Sequence, residues 1–287
     1  MTAADPGPLY ETLARWQRWR RRRAAPGEGL ELRKRLRGRG AGCEDGPSDG
    51  AAGLDQWLRE LAGARARGRV LDLGCGFGVS LLRWLEAGAS TGVGLSASRV
   101  QIHEARAEAA RRGMAARAEF RVGEFAAMPP GPFDVVLAIE ALAHAHDLGA
   151  VLRAVHDALA PGGVLLWVDD VLRDDRTDAD TAADAEALAR YWCSPPLRTA
   201  AAAAANVRTA GLRLLQDVDL TPRVPTATAS ALARRGRWLH LVRTLVPLPS
   251  LRRLTAAFLG GVVLERLYGR GRASYRVFLA ERPAERP

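Results

Sequence analysis

An apolar run, one acid inside it and three glycines at alternate positions occupy residues 70 to 78, Val-Leu-Asp-Leu-Gly-Cys-Gly-Phe-Gly. The arrangement describes a strand that ends in a cradle lined by backbone. Gly74, Gly76 and Gly78 carry no Cβ, so the turn can take positive φ and a ligand can approach the main chain closely. The helix read from Val79 to Leu85 offers its first free N–H groups to the same space. Asp72 selects the ligand. A dinucleotide brings a pyrophosphate to that helix end and gains nothing from a neighbouring carboxylate, whereas a ligand carrying an ammonium and a sulfonium gains from it. Acid-x-Gly-x-Gly-x-Gly therefore favours S-adenosylmethionine over NAD.

A second group of reactive side chains stands at Ile139-Glu140-Ala141-Leu142-Ala143-His144-Ala145-His146-Asp147. Glu140 and His144 are four apart, and on a helical turn they would share one face, where the pair could hold and deprotonate an acceptor. The alternative reading is that His144 packs structurally. His144-x-His146-Asp147 lacks a further ligand cluster nearby, so no metal is expected.

Alternating apolar runs and amphipathic stretches position these groups. Helix is expected from Leu54 to about Ala64, then strands ending at Leu73 and covering Ser90 to Leu95, Ala118 to Val122, Phe133 to Ile139 and Val164 to Val171. Between them fall helices to Glu86, over Ser98 to Arg112 and over Leu148 to Leu159. Further along, a helix to about Trp192, another over Thr199 to Ala210, a sixth strand at Leu212 to Leu220 and a seventh at Ala273 to Glu281 complete the pattern. The fold class is α/β, a doubly wound, mostly parallel seven-stranded sheet of Rossmann-like type with a helical cap. Residues 1–53 form a basic helical arm or cap over the site, helical around Leu9 to Arg23 and Leu30 to Leu36, with an irregular linker from Gly38 to Gly53. Residues 54–221 form the core, 222–272 an insertion of about three helical pieces punctuated by Pro225, Pro247 and Pro249, and 273–287 the last strand and a tail.

The glycine cradle, with Phe133-Asp134-Val135-Val136 and the Pro161-Gly162-Gly163 turn, resembles the class I S-adenosylmethionine-dependent methyltransferases, and more narrowly the tocopherol, sterol and cyclopropane-synthase-like branch. The resemblance implies that Asp72, Gly74, Cys75, Gly76 and Gly78 surround the methionine part of S-adenosylmethionine. After the second strand, family members usually carry a ribose-binding acid. Gly94 stands there instead, within Gly-Val-Gly-Leu-Ser, so Leu95 is expected on adenine and Ser96 on the ribose. The Gln common three residues after that serine is Arg99 in this chain. Gly123-Glu124-Phe125 matches the segment whose acid takes the adenine amino group while the next residue lies along the ring. Ile139 closes the set of strand ends, and the resemblance places Glu140 and His144 where substrate or base would sit. The motifs of amino-methylating nucleic-acid enzymes, C5-methylating enzymes and protein arginine methyltransferases are missing, which leaves a small-molecule acceptor.

Composition bounds the rest. Of 42 basic residues only Lys34 is a lysine, and charge is unevenly spread. Residues 1 to 45 carry 11 basic and 6 acidic side chains, 46 to 221 carry 18 and 23, and 222 to 287 carry 13 and 3. The positive excess lies on the flanks, open to an anionic substrate, peripheral membrane contact or nucleic acid, or simply to solvent. No apolar run reaches the ~20 residues of a membrane helix, and Met1 to Tyr10 lack an apolar signal centre, so the expected location is cytoplasmic. Cys43, Cys75 and Cys193 suggest reduced thiols rather than a framework or zinc site. The insertion, with Trp238, Leu239, Leu241, Leu245 and Phe258 among ten arginines, suggests a lipophilic pocket rimmed by cations. The acceptor is then a hydrophobic, anionic or neutral compound of prenyl, polyketide or quinone type, as in secondary metabolism. RNA or protein methylation through the basic flanks, and cofactor binding without catalysis, are the alternatives. Oligomeric state has no signal in the sequence.

Overall fold

The computed structural model describes residues 7–21, 33, 34, 36, 37, 46–48, 50–173, 178–246 and 248–284. In chain order the elements are α1 (Gly7–Arg21), α2 (Gly50–Ala62), β1 (Arg69–Leu73), α3 (Val79–Glu86), β2 (Thr91–Ser96), α4 (Arg99–Arg111), β3 (Ala118–Val122) and β4 (Phe133–Ile139). They continue with α5 (Leu148–Ala158), β5 (Leu159–Leu172), α6 (Ala179–Trp192), α7 (Ala200–Thr209), β6 (Arg213–Asp219), α8 (Ala229–Leu245), α9 (Pro249–Gly269) and β7 (Ala273–Glu281).

The strands form one seven-stranded sheet in the order β3-β2-β1-β4-β5-β7-β6. β1 to β5 are parallel, while β7 runs antiparallel to both β5 and β6. Alternate residues feed two cores, as the period of two along a strand requires. Val70, Val135 and Leu166 pack with α2, α3, α4 and α9 on one face. Leu71, Val136 and Leu165 pack with α5 and α7 on the other. Strands covered on both faces read as continuous apolar runs, which is why β1 and β4 show so plainly in the sequence. The reversal of strand order between β1 and β4 opens a crevice at their carboxyl ends.

Two expectations are corrected. α2 begins at Gly50, inside the segment read as linker, and β5 starts at Leu159, so that the Pro161-Gly162-Gly163 turn lies within it. The insertion between β6 and β7 holds the three helical pieces expected, a short 3-10 turn, Thr221–Arg223, and two long helices. Most of the helix expected over Leu30 to Leu36, like Cys43 and Pro247, lies outside the described residues. Arg33, Lys34, Leu36 and Arg37 are irregular.

Candidate active site

The carboxyl ends of β1, β2 and β4 converge with the loop after β3 on a cavity of about 660 Å³. That volume suits a cofactor-sized ligand. Asp72, Gly74, Cys75 and Gly76 line it from β1, Leu95 and Ser96 from β2, Glu124 and Phe125 from after β3, and Ile139, Glu140 and His144 from β4 and the turn beyond. Gly78 stands one step back. Its φ is +73° and a Cβ would lie 2.5 Å from the Phe120 ring, so this glycine lets α3 start against a buried aromatic. At Gly76, with φ +54°, a Cβ would meet nothing nearer than Gln101 at 4.0 Å, which leaves the cradle open. Gly94 has a spatial reason too. A Cβ there would sit 2.6 Å from Phe120 and 2.9 Å from the Cys75 sulfur, so any larger side chain would force Phe120 or Cys75 to shift.

Asp72 is 3% exposed, and its Oδ2 has no hydrogen-bond partner. Burial and then the nearby Asp55 push its carboxyl up to about 7, against the opposing pull of Arg33 and the Leu81 amide. A buried carboxylate oxygen left unpaired is costly, so this position suits a ligand that brings a cation, as the ammonium of S-adenosylmethionine would. Burial also pushes the Cys75 thiol well up, so it stays protonated.

The Ser96 hydroxyl is engaged within the protein. It donates to Gln101 Oε1 at 2.8 Å and accepts from the Ser98 amide at 3.2 Å. Gln101 is buried on the cavity wall, and sequence reasoning missed it by looking three residues after Ser96, at Arg99, which is not on the wall. The signal was present. Ser98-Arg99-Val100-Gln101 is a capping-box spacing, and Ser98 caps α4 by accepting from the Gln101 amide at 3.3 Å.

Glu140 takes φ +53°, so β4 does not run on into an α-helical turn; Leu142–His144 make a single 3-10 turn. The helical face expected to join Glu140 to His144 is not formed. The Glu140 carboxylate instead accepts from the Lys34 amide at 3.0 Å and the Tyr275 hydroxyl at 2.9 Å. The Lys34 ammonium lies 3.6 Å from Glu140, 2.7 Å from Asp170 and 4.7 Å over the Tyr275 ring. Burial pulls that ammonium down, but Asp170 and Glu140 outweigh it and hold it above its ordinary range. Glu140 thus holds Lys34 through both its amide and its ammonium.

His144 is held in its neutral form, because burial lowers it to about 4 against the opposing charge of Glu140. Its Nε2 lies 2.6 Å from the Tyr10 hydroxyl oxygen, while its Nδ1 is buried without a partner. Asp169 steadies the turn, accepting from the Ala143 amide at 2.8 Å and the Trp167 indole at 3.1 Å. Burial and then Asp170 push Asp169 up to about 7.

Helices remote in sequence close the cavity. Leu9, Tyr10 and Leu13 of α1, Trp192 of α6, and Ala257 and Phe258 of α9 lie on its wall. α1 is held by Glu11, which accepts from the Ser98 hydroxyl at 3.0 Å and the Val100 amide at 3.3 Å, and by Trp16 edge-on to Phe258 at 5.3 Å. The arginines of 222–272 are absent from the described wall, and Trp238 is 63% exposed, away from it. The one arginine on that wall, Arg33, binds Asp55 through both terminal nitrogens, at 3.0 and 2.5 Å. Among the described residues no group of three or more His, Cys, Asp or Glu side chains is arranged to hold a metal ion.

A family model described as a methyltransferase domain matches residues 48–259. The 24-methylenesterol C-methyltransferase 2 of Oryza sativa subsp. japonica is 30% identical over 204 residues, which cover 68% of this chain and 56% of that protein. The chain spans about half the length of the curated relatives it matches. Among solved structures, the [4+2]-cyclase SpnF superposes with a TM-score of 0.65 at 20% identity, covering 96% of this chain and 92% of that one. The geranyl diphosphate C-methyltransferase from Streptomyces coelicolor A3(2), in complex with Mg2+, geranyl diphosphate and S-adenosyl-L-homocysteine, gives a TM-score of 0.62 at 16% identity, covering 96% and 98%. At these identities the two structures show a shared fold.

Proposed function

The chain belongs to the methyltransferase-domain family, class I enzymes of the small-molecule type whose methyl donor is S-adenosylmethionine, and from that premise we propose that it methylates a hydroxyl of an uncharged, hydrophobic small molecule. The observation that carries this reading is a pair of unsatisfied buried atoms on one cavity wall, Asp72 Oδ2 and His144 Nδ1. When bound, S-adenosylmethionine supplies an electrophilic methyl on a sulfonium. Asp72 would take its ammonium, with Leu95, Glu124 and Phe125 toward the adenosine, Gln101 and Ser96 toward the ribose, and Ile139 beside them.

The chain's own work is to position an oxygen nucleophile and remove its proton. In the tautomer whose Nε2–H donates to the Tyr10 oxygen, Nδ1 of His144 keeps its lone pair and can accept the acceptor's hydroxyl proton. A histidine already neutral at physiological pH needs no prior deprotonation for that role. Glu140, tied to Lys34 and Tyr275, supports the wall rather than the proton transfer. Trp192 and Phe258 supply apolar surface for the acceptor's body.

Charge argues for a neutral acceptor. The described wall carries six carboxyl side chains, Asp72, Glu124, Glu140, Asp147, Asp169 and Asp170, and one arginine, Arg33, already bound to Asp55, so a diphosphate or carboxylate would find no arginine there to pair with. The test is incubation with methyl-labelled cofactor and fractionated extract. Label in the neutral organic fraction, lost in His144→Ala, supports the reading. Label in RNA or protein would overturn the acceptor class, and cofactor binding with label in no fraction would overturn methyl transfer.

A further inference from the structure

α8 has two apolar faces. Leu232 and Leu239 are buried with Leu259 and Val262 of α9, which accounts for one. On the other, Trp238, Leu241 and Leu245 are 63%, 56% and 68% exposed, and Leu248 in the turn to α9 is 58% exposed. Positions 238, 241 and 245 fall on one helical face, with Arg234 a turn before Trp238 on the same face. Arg235 and Arg237 flank it, and Arg252 and Arg253 stand exposed just beyond Leu248. Arg235 has Glu265 at 3.5 Å; Arg234, Arg237, Arg252 and Arg253 have no ion-pair partner among the described residues. Glu265 is the only acid against ten arginines between 222 and 272.

We propose that this face of α8 and the α8–α9 turn dock on an anionic lipid bilayer. Trp238, Leu241, Leu245 and Leu248 would enter the boundary between headgroups and acyl chains while the flanking arginines meet lipid phosphates, the division of labour of an interfacial amphipathic helix. Tryptophan is favoured at that depth because its ring is apolar and its N–H is wet. The helix lies on the surface rather than crossing it, since no helix among the described residues is long and apolar enough to span. Charge complementarity selects this occupant over a second copy of the chain. A symmetric contact through α8 would set arginines against arginines, with the single acid already paired. A nucleic acid would leave four large apolar side chains facing phosphates and sugars. α9, packed beneath α8, lends Ala257 and Phe258 to the cavity, so the proposed face and the acceptor side of the cavity share one helix pair.

Flotation with vesicles tests this on the full chain. The protein should float with phosphatidylcholine–phosphatidylglycerol vesicles at low salt, release at high salt, and float poorly with phosphatidylcholine alone. Trp238→Ser with Leu245→Ser should lower partitioning by about tenfold or more, from the loss of two apolar side chains at the interface. Arg234→Glu with Arg237→Glu should lower it by at least about fivefold per arginine. Both variants change exposed positions, and unchanged cofactor affinity would verify the fold. No flotation of the parent chain, flotation untouched by the double serine variant, or a dimer that this variant dissociates in the absence of vesicle binding would each overturn the proposal.

Discussion

Asp72→Asn isolates the charge at the cofactor cradle while keeping shape. In the free protein the Asp72 carboxyl sits at about 7, raised from 3.8, so it is largely protonated below neutrality. The unfolded chain has already released that proton between about pH 4 and 7. The folded state holds more protons in that window, so stability of the free protein falls as pH rises through it, by about 4 kcal/mol in all at 1.36 kcal/mol per unit. The Asn variant has no such loss and should be the more stable protein at pH 8 by a few kcal/mol. Cofactor affinity runs the other way. Pairing with an ammonium needs the carboxylate, so log Kd for the parent chain should rise by about one per pH unit below 7 and level off above it. A charge-assisted hydrogen bond contributes about 1.5–3 kcal/mol, so Asn should weaken binding about 10- to 150-fold at neutral pH and flatten the profile. Calorimetric titration between about pH 5.5 and 7.5, with denaturant melts of the free protein, measures both limbs. A flat parent profile, or an Asn variant within about twofold of the parent, would refute the assignment of Asp72 to the ammonium.

His144→Ala should lower kcat by about 100-fold or more with cofactor Kd unchanged, and Tyr10→Phe should give a smaller loss, about tenfold, by freeing the tautomer; stopped-time assays with the labelled cofactor would show it. Because His144 is lowered to about 4 in the fold from 6.5, the unfolded chain binds its proton first as pH falls, so about 3 kcal/mol of stability is lost between pH 6.5 and 4 and His144→Ala should lack that loss. Gly76→Ala and Gly78→Ala should separate in kind: the first keeps stability within about 1–2 kcal/mol but weakens cofactor binding, because its methyl enters open cavity, whereas the second costs about 2–4 kcal/mol because Phe120 stands in the way, as thermal melts would show. Phe258→Ala should raise the acceptor KM or lower kcat with cofactor Kd within about threefold, while Trp238→Ala should leave turnover of a dispersed acceptor unchanged; equal losses of cofactor and acceptor binding in Phe258→Ala would contradict the division of the cavity.

The sheet was legible because its strands are local patterns. β3, β4 and β7 begin and end at the residues read from the sequence, since each is an apolar or alternating run bounded by glycine, proline or charge. The glycine cradle was legible for the same reason, one strand and one turn carrying all of it. What escaped was non-local. Glu140 looked like a reactive acid because nothing near it in sequence shows Lys34, 106 positions away, or Tyr275, 135 away, taking its carboxylate. Its positive φ has no compositional mark either, glutamate being a poor indicator of left-handed backbone. Tyr10 meets His144 across 134 positions, so the N-terminal arm could be read as a cap while nothing in the sequence marked Tyr10 as the partner of His144. In α8 the sequence showed apolar residues at helical spacing without saying which of the two faces α9 would cover.

The order of strands fixes an order of assembly. β6 pairs with β7 alone, yet α8 and α9 lie between them in the chain, so during synthesis β6 is made and then waits, both edges bare, for a partner that comes last. A bare apolar strand in that interval would recruit other chains. β6 carries Arg213, Gln216, Asp217 and Asp219 instead, and stays largely exposed even in the finished sheet. The same charges later select the partner: Arg276 of β7 reaches Asp217 at 2.6 Å, and Arg213 pairs with Glu281. The side chains that keep the waiting strand from aggregating are therefore the ones that set its register once β7 arrives.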